Sequence, residues 1–367
     1  MNKKKLVIAS VLKPVNDSRN YEKTAISINK LGIYQVYLVG QKVKELPQDS
    51  QILFNPIFSF ERLNMLRFFS GFIFLRYLFR IRPETVVITT AELLWPAVWY
   101  KIFSRSKLVY DVQENYFRNL LYTRSFPYPL NYAMAVSIRM IEWLTRPFVD
   151  RYILAEKNYE QEFSFSKHKS IVIENKLRKT SVVPRVERTD GTIQLLYTGT
   201  IAGTYGIFEA VQLATLLYEQ EPAIRLMIAG YAPNRAEFIE LEKNIQDKEF
   251  ITLVGGNEFV PHEKILHLIA SSDLGLIPYQ SNKSTENCIP TKLYEYLAHK
   301  LPFIVNKNPL WSEITRQYRA GIEMDFSYLD RKKAETILAK IKNEKFYTVI
   351  PREEIYWQEE ALLTIFK

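Results

Sequence analysis

Residues 287–305 carry a cation and a carboxylate at a spacing that suits chemistry on phosphate and hydroxyl groups. Pro290 suits the first turn of a helix, where its missing N–H costs nothing and its φ is already helical. Residues 291–299 contain neither Gly nor Pro, and Pro302 lies just past their end. Leu293 and Leu297 are four apart and point into a core, while Lys292, Glu295 and His299 share another face. Residues 303–305 then read as a short buried strand. A helix N-terminus offers free backbone N–H groups and a positive dipole end to a phosphate, and Lys292 adds a full charge. Glu295, one turn later, can accept hydrogen bonds from two neighbouring ribose hydroxyls. The plain alternative is a solvated Lys292–Glu295 pair, worth about a few tenths of a kcal/mol.

The string Asn-x-Ile-Pro-x-Lys-Leu-x-Glu-Tyr-Leu-Ala runs from Asn287 to Ala298, followed by Leu301, Pro302 and the short strand. It resembles the donor-site helix of glycosyltransferases of the GT-B fold, family 4 in particular. The resemblance implies that Glu295 holds the donor ribose. Many members carry a second Glu eight residues earlier; here Asn287 stands at that position, with Glu286 just before it. Glu286, Ile289, Pro290, Lys292 and Glu295 are thus the expected donor-binding positions of this segment, and Lys292 and Asn287 the expected catalytic ones. Residues 198–206 align with the family's phosphate loop and add Gly199 and Thr200. The Arg and Lys usual in that loop are replaced by Thr200 and Tyr205. Gly255, Gly256 and Asn257 correspond to the loop beside the nucleoside base, which adds Asn257.

In the first half, Asp111-Val-Gln-Glu-Asn115 follows a strand expected at 107–111, and groups just beyond strand ends face the ligand crevice of open α/β sheets. The loop resembles the family's Asp-x-His-Glu loop, with Gln113 where a His often contacts the donor sugar. Gln113 can donate and accept hydrogen bonds but cannot carry a proton. It joins the catalytic candidates, and Glu114 the acceptor or cleft candidates. Asp17 and Arg19 open a helix expected at 19–31 and are cleft candidates too. Arg19 either faces the cleft or pairs with Asp17 or Glu22.

The elements that must position these groups alternate between strand and helix. Strands are expected at 5–10, 34–39, 85–90, 107–111, 151–155 and 171–173, with helices at 19–31 and 133–145. Residues 176–191 are rich in charge, Pro and Thr and lack periodicity, as a linker does. Strands follow at 193–197, 225–229, 251–254, 274–277 and 303–305, with helices at 206–217, 263–270 and 291–299. The expected fold class is α/β, two Rossmann-like domains facing each other across a cleft, which is the GT-B arrangement. Residues 1–178 form the acceptor side, 179–191 the linker and 192–350 the nucleotide-sugar side. One helix at 353–366 is expected to pack back on the first domain.

The chain's 367 residues exceed the usual single-core size. The single Cys288 excludes a disulfide framework, and four scattered His give no metal-site pattern. No stretch approaches the ~20 uninterrupted apolar residues of a membrane span. The apolar run after Lys5 ends at Lys13 and Pro14 and reads as a first strand rather than a leader. Cytosol is the expected compartment. Residues 1–189 hold 30 Lys and Arg against 16 Asp and Glu, or +14, which leaves −5 of the total +9 for residues 190–367. Such a split suggests an anionic partner for the first half. Residues 58–81 interleave Phe68, Phe69, Phe72, Phe74, Tyr77 and Phe79 with Arg62, Arg67, Arg76 and Arg80. They read either as an ordinary buried helix with cationic ends or as an interfacial helix on anionic lipid at the inner face of the plasma membrane. No nucleic-acid module is recognisable.

The activity implied by the resemblance is transfer of a sugar from a nucleotide diphosphate donor to a hydroxyl of a glycan or lipid-linked acceptor. It is implied to be retaining, without metal or other cofactor. A sugar-nucleotide epimerase of the same fold needs acid–base groups that Gln113 cannot supply. A non-catalytic binding protein would account for the missing Arg and Lys.

Overall fold

The computed structural model describes residues 3–60, 67, 69–122, 128–280 and 286–367; Arg62 and Phe68 lie outside the described residues. The chain forms two compact units, Met1–Asn175 with Trp357–Lys367, and Lys176–Tyr356.

In the first unit seven parallel strands take the order β3-β2-β1-β4-β5-β6-β7. They are β1 (Lys4–Pro14), β2 (Tyr34–Gln41), β3 (Ile52–Phe58), β4 (Thr85–Ile88), β5 (Lys107–Val112), β6 (Arg151–Leu154) and β7 (Ser170–Val172). β1 sits inside the sheet because Leu6, Val7, Ile8 and Ala9 are apolar on both faces. β3 has no counterpart in the sequence reading, since Pro56 argues against an inner strand; at the sheet edge a Pro is tolerated. After Asp17 the chain turns as a π-helix, Ser18–Ala25, and closes as the short α1 (Ile26–Asn29). α2 (Ser70–Ile81), α3 (Leu94–Ser104) and, beyond the short α4 (Tyr116–Tyr122), α5 (Leu130–Thr145) follow; α6 (Tyr159–Glu162) is a single turn. The inner sides of α2, α3 and α5 pack with Val7, Ala9, Val86, Leu108 and Tyr110. The alternate strand residues Leu6, Ile8, Val36, Val87 and Val109 face Ile28 and the chain end.

The second unit holds six parallel strands in the order β10-β9-β8-β11-β12-β13. These are β8 (Ile193–Thr200), β9 (Ile224–Tyr231), β10 (Ile251–Gly256), β11 (Leu274–Ile277), β12 (Phe303–Asn306) and β13 (Gly321–Met324). The helices are α7 (Ile207–Tyr218), α8 (Arg235–Ile245), α9 (His262–Ala270), α10 (Thr291–Ala298), α11 (Pro309–Tyr318) and α12 (Arg331–Asn343). α7, α8 and α12 fill one face of the sheet and α9, α10 and α11 the other. Strand order reverses between β8 and β11, which is where open α/β sheets place their ligands.

The single helix expected at 353–366 is instead a 3₁₀ turn, Glu353–Ile355, and the short α13 (Glu359–Leu363). Trp357, Leu362, Ile365 and Phe366 fill the first unit's core, and the Tyr34 hydroxyl donates to the Phe366 carbonyl at 3.0 Å. Among the described residues no helix is long and apolar enough to cross a membrane.

Candidate functional site

α10 begins beside the switch point of the second sheet. Pro290 is its N-cap rather than part of its first turn, with ψ at 133°, and its carbonyl accepts from the Leu293 N–H at 2.9 Å. Every residue from Lys292 to Ala298 is buried, so the helix has no solvent face. This excludes the solvated Lys292–Glu295 pair. Lys292 is 5 % exposed and its ammonium donates to the Thr198 carbonyl on β8. The faces of Tyr197 and Tyr279 lie 4.6 and 4.7 Å from it. Burial pushes its pKa down to about 7, with the Glu295 charge acting to raise it. The full charge expected from sequence is therefore only partly present near neutral pH.

The 198–206 loop wraps this ammonium. Gly199 has φ +99°, and a Cβ there would lie 3.5 Å from Lys292 Nζ. The Tyr197 hydroxyl donates to the Thr200 carbonyl at 2.7 Å and the Tyr205 carbonyl at 3.2 Å, which closes the loop. The Tyr205 ring meets Tyr279 edge-on at 4.9 Å. Gly206 caps α7 at φ +75°, where a side chain would run into the Pro278 carbonyl.

Glu295 and His299 turn elsewhere. Glu295 Oε1 lies 2.9 Å from His262 Nε2, at the first turn of α9. His299 accepts the Val183 N–H at Nε2 (3.1 Å), so Nδ1 carries the proton and donates to the Glu295 carbonyl (2.8 Å). Burial pushes its pKa down, consistent with a neutral ring. The approach to α10 is held from α11: Asn308 donates to the Glu286 carbonyl at 2.7 Å and Trp311 to the Cys288 carbonyl at 2.8 Å. Glu286 and Asn287 are exposed, whereas Ile289 is half-buried against the core. Asn257, also exposed, accepts from Arg235 at 2.7 Å.

The first unit gathers a second polar cluster beyond the ends of β1 and β5. Arg19 is 1 % exposed and grips Asp111 through two N–H groups, at 2.8 and 3.1 Å. A third N–H donates to the Ile173 carbonyl at 3.0 Å, and the guanidinium lies 5.4 Å from the centre of the Trp357 ring. The sequence left Arg19 open between facing the cleft and pairing with Asp17 or Glu22; its side chain instead pairs with Asp111 and is buried. Asp17 instead caps the π-helix, accepting from the Arg19 and Asn20 N–H groups. Gln113 donates to Asn20 at 2.8 Å and to Asp111 at 2.7 Å, and accepts from the Lys13 ammonium at 2.6 Å. Glu114 stands apart, accepting from Asn119 at 3.2 Å. Among the described residues no group of three or more His, Cys, Asp or Glu could hold a metal ion.

Residues 181–352 match the family described as glycosyl transferases group 1. No curated protein sequence matches the chain. HepE of Anabaena, solved with UDP and glucose, is 13 % identical at a TM-score of 0.69, over 99 % of this chain and 98 % of that one. A sucrose-phosphate synthase of Thermosynechococcus elongatus is 12 % identical at 0.72, over 99 % and 98 %. The lipopolysaccharide outer core galactosyltransferase WaaB is 14 % identical at 0.57, over 99 % of each chain. At these identities the likeness is one of fold, and the fold is GT-B.

In the second unit, Lys292, Gly199 and the start of α10 converge, with Glu295 one turn further along the same helix. Asn257 reaches none of these groups by hydrogen bond; Arg235 holds it. Three contributors had no sequence signal. Thr198 acts through a backbone carbonyl, His262 is a lone His at a helix start, and Asn308 reads only as the N-cap that it also is.

Proposed function

We propose that this chain transfers a sugar from a nucleotide diphosphate donor to a hydroxyl acceptor, with retention and without a bound metal. The acceptor is a glycan or lipid-linked glycan of envelope polysaccharide or glycolipid synthesis. What supports this most is the ammonium of Lys292 lodged against the Gly199 turn beside the start of α10. As the glycosidic bond breaks, charge grows on the diphosphate, and a fixed cation with aligned N–H groups stabilises it. That HepE is solved with UDP and glucose supports a nucleotide sugar as donor. Screening nucleotide sugars by thermal shift and by release of nucleoside diphosphate tests the proposal; stabilisation by none of them rejects it. The replacement of two loop cations by Thr200 and Tyr205 favours a second reading, donor binding without turnover. Stabilisation with no nucleotide release in the presence of acceptor extract selects it.

Glu295→Ala is expected to weaken nucleotide-sugar binding by about 1.5–3 kcal/mol, because two ribose hydroxyls lose a charged acceptor. His262→Ala, which leaves that carboxylate in place and removes one of its partners, should cost less. Calorimetry checks both, and unchanged affinity in the Glu295 variant rejects the ribose role.

Donor binding should also depend on pH in one direction. Lys292 titrates near 7 in the free protein, and an adjacent diphosphate raises that value. Between the two pKa values the complex holds more protons than the free protein, so affinity falls as pH rises above about 7, by at most about tenfold per unit. A nucleotide sugar has no phosphate group titrating in this range. Calorimetry at pH ~8 in buffers of different ionisation enthalpy should therefore show net proton uptake by the protein. Zero uptake places Lys292 away from the diphosphate.

A further inference from the structure

We propose that the outward faces of α2, α3 and α5 form a docking surface for an anionic lipid bilayer. The inference is independent of sugar transfer. The inner sides of the three helices share one core, so their outer sides make up the layer's solvent face. That face is apolar and aromatic. On α2 Phe72 is 63 % exposed and stands with exposed Ile73 and Phe79. On α3 Trp99, Ile102 and Phe103 are exposed, Phe103 at 68 %. Phe103 joins the two helices, with ring centres 6.3 Å from both Phe79 and Trp99. α5, packed beside α3, adds exposed Val136, Met140, Trp143 and Leu144.

The cations on this face decide its partner. Arg76 and Arg80 lie on the same outward stripe of α2 as Phe72 and Phe79, and neither pairs with a carboxylate among the described residues. Arg146 lies over the Trp143 ring, 5.6 Å from its centre. At the end of α3, Arg105 and Arg151 line a recess of about 430 Å³ in which Lys101 pairs with Asp150 and Lys107 donates to the Ile365 carbonyl. The charge of the chain sits in the same unit. The first unit holds 26 Lys and Arg against 17 Asp and Glu, the second 23 of each, so all of the +9 belongs to the first. Aromatic side chains that insert among headgroups, interleaved with cations that meet lipid phosphate, match an anionic membrane surface. A second copy of the chain fits less well, since a two-fold contact on this face brings the arginines of one copy towards those of the other.

Flotation of the full chain, without donor, on vesicles of phosphatidylcholine alone or with about 30 % phosphatidylglycerol tests the proposal. Partitioning should be at least ~10-fold stronger on the anionic vesicles and fall steeply between about 0.1 and 0.5 M salt. Arg76→Gln with Arg80→Gln should weaken it roughly 25-fold, about fivefold for each charge lost near the surface. Trp99→Ser with Phe103→Ser should weaken it about tenfold or more while leaving the salt dependence in place. All four side chains are exposed, so unchanged melting temperatures are expected and confirm folding. Equal recovery on both vesicle types, recovery on neither, or variants that partition like the parent overturns the proposal. A dimer in sedimentation that dissociates in the Trp99/Phe103 variant assigns the face to a second copy instead.

Discussion

Lys292→Met should lower kcat by about 10²–10³, the size of comparable electrostatic deletions at a developing anion. Lys292 is the ammonium nearest the Gly199 turn among the described residues. An ammonium there helps the departing diphosphate more than the bound donor, so the loss in kcat comes on top of the weaker donor binding. Met keeps the length of the side chain and its packing against Tyr197 and Tyr279, so lost volume is not the cause. Lys292→Arg should recover only part, since a planar fork replaces a compact charge in a pocket built around it.

Stability gives a readout that activity does not. The folded chain releases the Lys292 proton near pH 7, whereas the unfolded chain keeps it to about 10.5. Between those values the unfolded state binds more protons, so this group's contribution makes stability rise with pH. The Met variant should lack that rise and be no less stable than the parent at neutral pH. A variant that melts well below the parent and turns over within a factor of about two or three of it assigns Lys292 to packing alone.

α10 was legible because its signals are local: a Pro before it, apolar residues four apart and a Pro after it. Its partners were not. Lys292 bonds to a backbone carbonyl 94 positions away, and a carbonyl leaves no mark in the residue types. The strands buried on both faces are read from continuous apolar runs, but β3 is an edge strand interrupted by Pro56. The π-helical turn depends on how Arg19, Asn20 and Lys23 are buried by other elements, which no periodicity encodes. Charge behaved similarly. Cutting the chain at residue 189 overstates the asymmetry, because several linker cations belong to the second unit. The aromatic run of α2 was visible in sequence, yet only the fold sets it beside the exposed rings of α3 and α5.

Arg19, which the sequence left open between the cleft and a neighbouring carboxylate, pairs instead with Asp111, 92 positions away, and that pair carries a large expected effect. Asp111→Ala should destabilise the first unit by about 3–5 kcal/mol, because it leaves the Arg19 guanidinium charged, buried and unpaired. For a unit of this size that corresponds to a fall of roughly 6–20 °C in its melting transition. Arg19→Ala should cost a similar amount by stranding the carboxylate, and it also removes the cation from the Trp357 ring. Asp111→Leu with Arg19→Met removes both charges and fills the space, so most of the loss should return, since such pairs often add little over an apolar substitute. Gln113 still has Asn20 and Lys13 as partners in that double variant. Calorimetric unfolding of the four proteins measures the coupling as a double-mutant cycle. A double variant as unstable as either single one shows that the pair contributes through its hydrogen bonds to Ile173 and Gln113 rather than through mutual neutralisation. A double variant that regains stability but loses acceptor-dependent turnover returns Arg19 to the cleft candidates and adds Asp111 to them.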